Sequence, residues 1–136
     1  MQRIWLSVGF VLMLTSCAKD SSDIIPDVYV NYRISIQQFQ INKNANGVLL
    51  VNNQGVAGLI IYRRTDGAYV AYDRCSTVNP TAKCAVVPDE TGLGADDVCS
   101  GAKFSLFDGS PSKAPATRSL KSYQVRLTSF EIVVQN

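Results

Sequence analysis

Short apolar segments with strand-like spacing, beginning at residue 28, constrain the fold of this chain more than any other feature. In residues 28–37 every second position carries an apolar side chain, namely Val28, Val30, Tyr32, Ile34 and Ile36. This period of two places them on one face of an extended strand. From residue 17 onward, no window of about 11 residues combines a 3.6-residue apolar period with helix-capping residues. The sequence therefore predicts an all-β fold with little helix.

Turn-forming residues separate the later strands. Residues 52–55 and the pairs Asp66-Gly67 and Asp108-Gly109 have the composition of turns, and Asp-Gly between alternating segments is a strong hairpin signal. Further strands are predicted at residues 48–51, 58–62, 85–87, 103–106, 122–127 and 130–134. Short strands with this spacing are typical of a β-sandwich or a small barrel.

The first 16 residues have the features of a secretory signal peptide. Arg3 precedes an apolar run at residues 4–14, which is about half the length that crosses a bilayer. The sequence Leu14-Thr15-Ser16-Cys17 resembles a bacterial lipobox, which implies cleavage before Cys17 and acylation of its thiol. Residues 1–16 are therefore predicted to be a lipoprotein signal peptide. The alternative is an ordinary secretory signal with an incidental cysteine.

A polar segment follows the predicted anchor. Residues 18–27 are mostly polar, so residues 17–27 are predicted to be the lipidated cysteine followed by a flexible tether. The pair Lys19-Asp20 is similar to the acidic export signals of some Gram-negative lipoproteins. We therefore expect a lipid-anchored protein of the cell envelope, in the outer membrane of a Gram-negative bacterium, with a folded domain at residues 28–136.

The composition excludes several classes of function. The 136 residues include no histidine, so a Ser-His triad, a histidine general base and histidine metal ligands are excluded. The 13 basic and 11 acidic residues give a net charge of +2 and are scattered along the sequence, which argues against binding to nucleic acid. We therefore expect a protein that is not an enzyme and that binds no nucleic acid.

Three segments resemble Rieske-type ferredoxin domains. Residues 69–75 form a strand-like segment that ends in Cys75, and residues 99–110 read Cys-Ser-Gly-Ala-Lys-Phe-Ser-Leu-Phe-Asp-Gly-Ser. Together they are similar to the two cluster-binding loops of these domains, Cys-x-His and Cys-x-x-His-Gly-Ser-x-Phe. Residues 114–125 resemble the Gly-Pro-Ala, Pro-Leu and Tyr-x-Val segment that follows. The resemblance spans roughly residues 47–134, and it implies a small antiparallel β-sandwich or barrel with an inserted two-loop subdomain.

The resemblance also assigns the positions of the cluster ligands. Cys75 keeps the first cysteine position, and Thr77 stands at the first histidine position. Asp97 stands at the second cysteine position, and Ser100 stands at the second histidine position. A Rieske centre binds one iron through two thiolates and the other through two imidazoles. Three of the four ligands are thus replaced, and the resemblance implies a scaffold without metal or cofactor.

Three cysteines follow the predicted anchor. In some Rieske domains a disulfide ties the two loops together, and the resemblance implies that Cys84 and Cys99 form it and leave Cys75 unpaired. The sequence itself does not fix the connectivity, so pairing of Cys75 with Cys84 or with Cys99 stays open. A further alternative is a cluster or zinc ion held by the three cysteines and Asp97 or Asp96, although the sequence has no Cys-x-x-Cys pair.

These observations predict a non-enzymatic, membrane-anchored envelope lipoprotein whose Rieske-like domain has lost its iron-sulfur ligands and acts as a binding or structural module. Its partners would be the membrane, through the lipid anchor, and an envelope protein that the sequence does not identify. The alternative is a Rieske-type 2Fe-2S electron-transfer protein with atypical ligands. A third hypothesis, an unrelated immunoglobulin-like or adhesin module, predicts a plain two-sheet sandwich.

Overall fold

A computed structural model describes residues 24–136 of the chain. The predicted signal peptide and the predicted lipidation site Cys17 lie outside these residues. Within the described part, no helix is long and apolar enough to cross a membrane. The elements in chain order are β1 (Asn31–Ser35), α1 (Ile36–Asn42), β2 (Val48–Val51), β3 (Leu59–Arg63), β4 (Tyr69–Asp73), β5 (Val87–Pro88), β6 (Gly94–Asp96), β7 (Lys103–Ser105), β8 (Pro111–Lys113), β9 (Ser122–Leu127) and β10 (Glu131–Gln135), with a short 3-10 helix at Pro80–Ala82.

The larger sheet contains six antiparallel strands in the order β1-β10-β9-β4-β3-β2. Its strand β3 is apolar along nearly its whole length because both of its faces are covered. Leu59 and Ile61 belong to a core on one face, together with Phe39 of α1. Ile60 and Tyr62 belong to a second core on the other face. Continuous apolar runs are typical of strands that are buried on both sides.

The smaller sheet, in the order β5-β6-β7-β8, is inserted between β4 and β9. The second core joins it to the larger sheet, since Ala95 and Phe104 of the smaller sheet are buried in the same cluster as Tyr72 of β4 and Leu106. The predicted all-β fold with an inserted two-loop subdomain is therefore confirmed. The insertion also excludes the plain two-sheet sandwich.

The strand predicted at residues 28–37 is wrong at both ends, because β1 covers only Asn31–Ser35. The alternating pattern continues to Ile36, but the chain turns into helix α1 at that residue. Ser35 caps the helix, because its hydroxyl oxygen accepts a hydrogen bond from the backbone N–H of Gln38 at 3.0 Å. Phe39 then packs into the first core with no exposed surface. Burial of one aromatic ring and one cap suffices for a helix of two turns.

Two strands of the smaller sheet were not predicted from the sequence. β6 reads Gly-Ala-Asp and β8 reads Pro-Ser-Lys, and neither contains the β-branched or aromatic residues that favour strands. β6 forms because it pairs with β7 and buries Ala95 opposite Phe104. Tertiary packing, not local preference, therefore defines β6, and β8 is defined by its pairing with β7.

Residues 24–27, the described end of the predicted tether, contact the folded domain. The side chain of Ile25 is only 1% exposed. The ammonium group of Lys121, which immediately precedes β9, donates hydrogen bonds to the Pro26 carbonyl at 3.2 Å and to the Asp27 carboxylate at 3.0 Å. The folded unit therefore includes Ile25.

Candidate functional site

Two loops of the inserted subdomain form the candidate site. The first loop follows β4 and includes Cys75 to Cys84, and the second connects β6 to β7. Cys84 and Cys99 form a disulfide that joins the loops, as the resemblance implies, and Cys75 is unpaired and buried. The pairings of Cys75 with Cys84 or Cys99 are therefore absent from the structure.

Asp97 is the centre of a buried hydrogen-bond network that crosses from one loop to the other. Its side chain is 2% exposed. One carboxylate oxygen accepts hydrogen bonds from the backbone N–H groups of Cys99 at 2.8 Å and Ser100 at 3.2 Å. The other accepts from the Ser100 hydroxyl at 2.7 Å and from the hydroxyl of Ser76, in the first loop. Asp97 thus links the loops by hydrogen bonds.

The ionisation of Asp97 follows from this network. Burial alone would raise the pKa of a carboxyl group, because it removes water from the charged form. The hydrogen bonds from Ser76, Ser100 and the backbone of Cys99 outweigh that effect and hold the pKa of Asp97 below its usual range. The carboxylate is therefore charged at neutral pH, and its charge is compensated by four donors rather than by a cation.

Cys75 and Thr77, which the resemblance assigns to the ligand positions of the first loop, contact protein groups. The Thr77 hydroxyl donates a hydrogen bond to the Arg118 carbonyl at 2.8 Å. The Cys75 thiol has no exposed surface and lies 3.5 Å from the Pro80 carbonyl oxygen. Burial, together with the negative charge of Asp73, raises the pKa of Cys75 to about 11. Cys75 is thus a protonated, unreactive thiol at neutral pH.

A second buried carboxylate, Asp73, lies at the end of β4 and was not predicted from the sequence. Its oxygens accept hydrogen bonds from the backbone N–H groups of Val56, Ala57 and Cys75 at 2.7, 3.1 and 2.9 Å. They also accept one from the Tyr123 hydroxyl at 2.8 Å. Asp73 therefore fixes the start of the first loop to the larger sheet. The only sequence signal was an acidic residue at the end of a predicted strand, two positions before Cys75.

The close approach of backbone to Asp73 requires a glycine. Gly55 has a φ of +62°, and a Cβ atom built on it would lie 2.4 Å from a carboxylate oxygen of Asp73. Any other residue at this position would displace the carboxylate that holds Cys75.

The donor atoms at the four positions that the resemblance assigns to cluster ligands do not fit a Rieske cluster. That cluster requires two thiolates and two imidazoles, and these positions supply one buried thiol, two hydroxyls and one carboxylate. The sulfur of Cys99, beside Asp97 and Ser100, is committed to the disulfide. The oxygens of Asp97 and Thr77 are already engaged by protein groups.

A cleft lies where the inserted subdomain meets the larger sheet. This cleft has a volume of about 280 Å³, and its lining includes Arg64, Tyr69, Tyr72, Phe107, Asp108 and Ser122. The guanidinium carbon of Arg64 lies 3.8 Å from the centre of the Phe107 ring, which is a close cation–π contact. The Tyr72 hydroxyl donates to the Leu106 carbonyl at 3.1 Å. Burial, and then the charge of Asp108, raise the pKa of Tyr72 to about 12.

Solved structures with the same architecture identify the fold. The cyanobacterial plasma membrane Rieske protein of Synechocystis PCC 6803 superposes with a TM-score of 0.59 over 81% of this chain and 100% of its own, at 22% sequence identity. The chain has a Rieske fold. The ferredoxin of Sphingomonas yanoikuyae B1 shares this Rieske fold with a TM-score of 0.55 and 14% identity, over 79% of this chain and 99% of its own.

A further match to the Rieske fold is the complex of reduced oxygenase and oxidised ferredoxin in carbazole 1,9a-dioxygenase. Its TM-score is 0.56 at 19% identity, over 78% of this chain and 93% of the other. No protein-family model and no curated protein matches this sequence. At these identities the comparisons establish the Rieske fold alone.

Proposed function

We propose that this protein is a lipid-anchored protein of the bacterial cell envelope whose Rieske fold has lost its iron-sulfur ligands and serves as a non-enzymatic binding or structural module. The observation that carries the proposal is the buried network of Asp97. By the resemblance, Asp97 stands at the position of the second cysteine ligand, and its carboxylate accepts hydrogen bonds from Ser76 of one loop and Ser100 of the other.

This network supplies the connection between loops that a cluster would otherwise provide. The disulfide of Cys84 and Cys99 adds a covalent connection between the same two loops. The two cysteines are 15 residues apart. Closing a loop of this length lowers the entropy of the unfolded chain, which corresponds to about 3 kcal/mol of stability at room temperature. Both features stabilise the loops without metal, which is what a scaffold that has lost its cluster requires.

The predicted lipid anchor and the disulfide both indicate a compartment beyond the inner membrane. Disulfides persist beyond the inner membrane, where the environment is oxidising, and that is where the lipobox-like sequence before Cys17 directs the protein. Six residues lie between Cys17 and Ile24, so the seven steps from one Cα to the next span at most about 25 Å when the chain is extended. An acylated Cys17 would therefore keep the domain next to the membrane surface. We propose that this membrane is the outer membrane.

The binding role is supported by the cleft between the two sheets. Clefts at the junction of two structural units are preferred positions for binding sites. Here aromatic side chains, with Phe107 51% exposed, lie beside the charged groups of Arg64 and Asp108. We assign this cleft as the contact surface for an envelope partner.

Isolation of the full-length protein from membranes tests the proposal. Incorporation of labelled palmitate should depend on Cys17, and a Cys17→Ser variant should lose it. Partners recovered after mild cross-linking should be lost with Phe107→Ala but retained with Phe130→Ala, which removes a ring that is 79% exposed and lies outside the cleft. A visible iron-sulfur absorption band in the isolated protein would instead support the alternative, an electron-transfer protein with atypical ligands.

A further inference from the structure

Three potential metal ligands converge at the junction of the two loops. The sulfurs of Cys84 and Cys99 and a carboxylate oxygen of Asp97 all lie within 4.8 Å of one another. In a tetrahedral zinc site, sulfur and oxygen ligands lie about 3.6–3.8 Å apart, given zinc–sulfur bonds of about 2.3 Å and zinc–oxygen bonds of about 2.1 Å. To surround one ion, the Asp97 oxygen must approach the sulfurs by at most about 1 Å. The two sulfurs, which are 2.06 Å apart in the disulfide, must separate by about 1.7 Å after reduction. In the oxidised protein the disulfide prevents this, because both sulfurs are bonded to each other.

The backbone holds these ligands in place without the disulfide. In the second loop, the Asp97 N–H donates to the Ala102 carbonyl at 2.9 Å and the Gly101 N–H donates to the Asp97 carbonyl at 2.8 Å. In the first loop, the Cys84 carbonyl accepts from the Ser76 N–H at 2.9 Å, and Ala85 pairs with Cys75 in a β-bridge. Reduction of the disulfide would therefore leave the two thiols facing each other beside Asp97.

We propose that the reduced protein binds one zinc ion through Cys84, Cys99 and Asp97, so that the redox state of the disulfide controls metal binding. A dithiol reductant transfers two electrons and two protons to the disulfide, yields the free thiols of Cys84 and Cys99, and is itself oxidised to a disulfide. Zinc then displaces the two thiol protons and forms two zinc–sulfur bonds. Cys99 lies at the surface, so reductant and ion can reach the site and water can complete the tetrahedron.

Zinc binding at this site must displace an existing hydrogen bond to Asp97. Each of its carboxylate oxygens already accepts two hydrogen bonds. A zinc ion must displace one of them, and the hydroxyl of Ser76 or Ser100 can rotate away where a backbone N–H cannot. The inference does not depend on the proposed function, because it concerns zinc and the reduced protein, and Asp97 is the only one of the four Rieske ligand positions that it uses.

Metal titration of the full chain in detergent tests the proposal. One sample is kept oxidised, and the other is reduced with a phosphine that does not itself compete for zinc. The reduced protein should bind about one zinc per chain in competition with a chromophoric chelator, and oxidised protein should bind at least about 100-fold more weakly. Equal binding by the two forms, or no binding by the reduced form, overturns the proposal.

Substitutions identify the ligands. Cys99→Ser should abolish tight binding, and Asp97→Asn should weaken it by about 10- to 100-fold. The matched controls Asp96→Asn and Cys75→Ala, which change the adjacent acid and the remaining thiol, should bind like the unsubstituted protein. Loss of binding in Cys75→Ala, or equal affinities of the Asp96 and Asp97 variants, would contradict the assignment.

A measurement on the unsubstituted protein covers the case in which Asp97→Asn fails to fold. X-ray absorption at the zinc edge should show two sulfur ligands at about 2.3 Å and oxygen ligands at about 2.0–2.2 Å. A shell of three sulfurs would implicate Cys75, and a shell with oxygen or nitrogen alone would exclude both cysteines. Either result refutes the site.

Discussion

Replacement of Asp97 by asparagine is the most informative single change in the interloop network. The asparagine is nearly isosteric but offers one acceptor oxygen in place of two. About two of the four hydrogen bonds to the carboxylate are therefore lost or reversed. Hydrogen bonds to a charged group contribute about 1.5–3 kcal/mol each, and the serine hydroxyls recover part of this by accepting from the new amide. We expect the free energy of unfolding to fall by about 2–4 kcal/mol, and Tm by about 10 °C.

The assay is urea unfolding of the oxidised protein, followed by circular dichroism, with Asp96→Asn as the matched control. Asp96 pairs with Lys103 at 3.1 Å, but the side chains of Asp96 and Lys103 are 34% and 43% exposed. Exposed pairs of this kind contribute less than about 1 kcal/mol. The control should therefore stay close to the unsubstituted protein. If Asp97→Asn loses no more stability than Asp96→Asn, the network does not hold the loops together and the reasoning is refuted.

The pKa of Asp97 is lower in the folded protein than in the unfolded chain. The stability that ionised Asp97 contributes is therefore present above about pH 4 and is lost as the pH falls through the folded pKa. Unfolding measured over an acid titration should show this loss, and Asp97→Asn should lack it. Cys84→Ser should lower the free energy of unfolding in urea by about 3 kcal/mol under oxidising conditions, and a change below about 1 kcal/mol would count against it. The buried Cys75 should resist iodoacetamide at pH 8 in the folded protein and react after unfolding, and mass spectrometry measures the extent of labelling. Rapid labelling of Cys75 in the folded protein would contradict the conclusion that this thiol is unreactive. The triple variant Thr77→His, Asp97→Cys, Ser100→His should take up an iron-sulfur cluster on reconstitution, which electron paramagnetic resonance can detect. If a folded variant takes up no cluster, the loops no longer match the Rieske geometry.

Much of the larger sheet could be predicted because its strands carry their own signals. Residues 122–127 alternate in polarity, and the structure has β9 at Ser122–Leu127. The Asp66-Gly67 turn marks the hairpin between β3 and β4, where the Gly67 N–H donates to the Arg64 carbonyl. The helix at residues 36–42 could not be predicted, because Ile36 extends the strand pattern by one step and a single cap, Ser35, redirects the chain.

The candidate site was predictable in its positions but not in its contacts. Asp97 and Ser100, which the resemblance assigns to the second loop, lie between β6 and β7 in the structure, and the implied disulfide is present. The hydrogen bond between Asp97 and Ser76 joins residues 21 apart in sequence, and it exists only because two loops fold against each other. Asp73 was missed for the same reason, since its partner Tyr123 is 50 residues away.

The iron content of the full-length protein tests the central claim most directly. The protein should be produced in a host with an active iron-sulfur assembly pathway, isolated anaerobically without chelators, and measured for iron and for the paramagnetic resonance of its reduced form. Our account predicts iron well below one atom per chain and no cluster signal. About two irons per chain, with a signal that appears on reduction, would show that this Rieske fold still carries its cluster by other ligands.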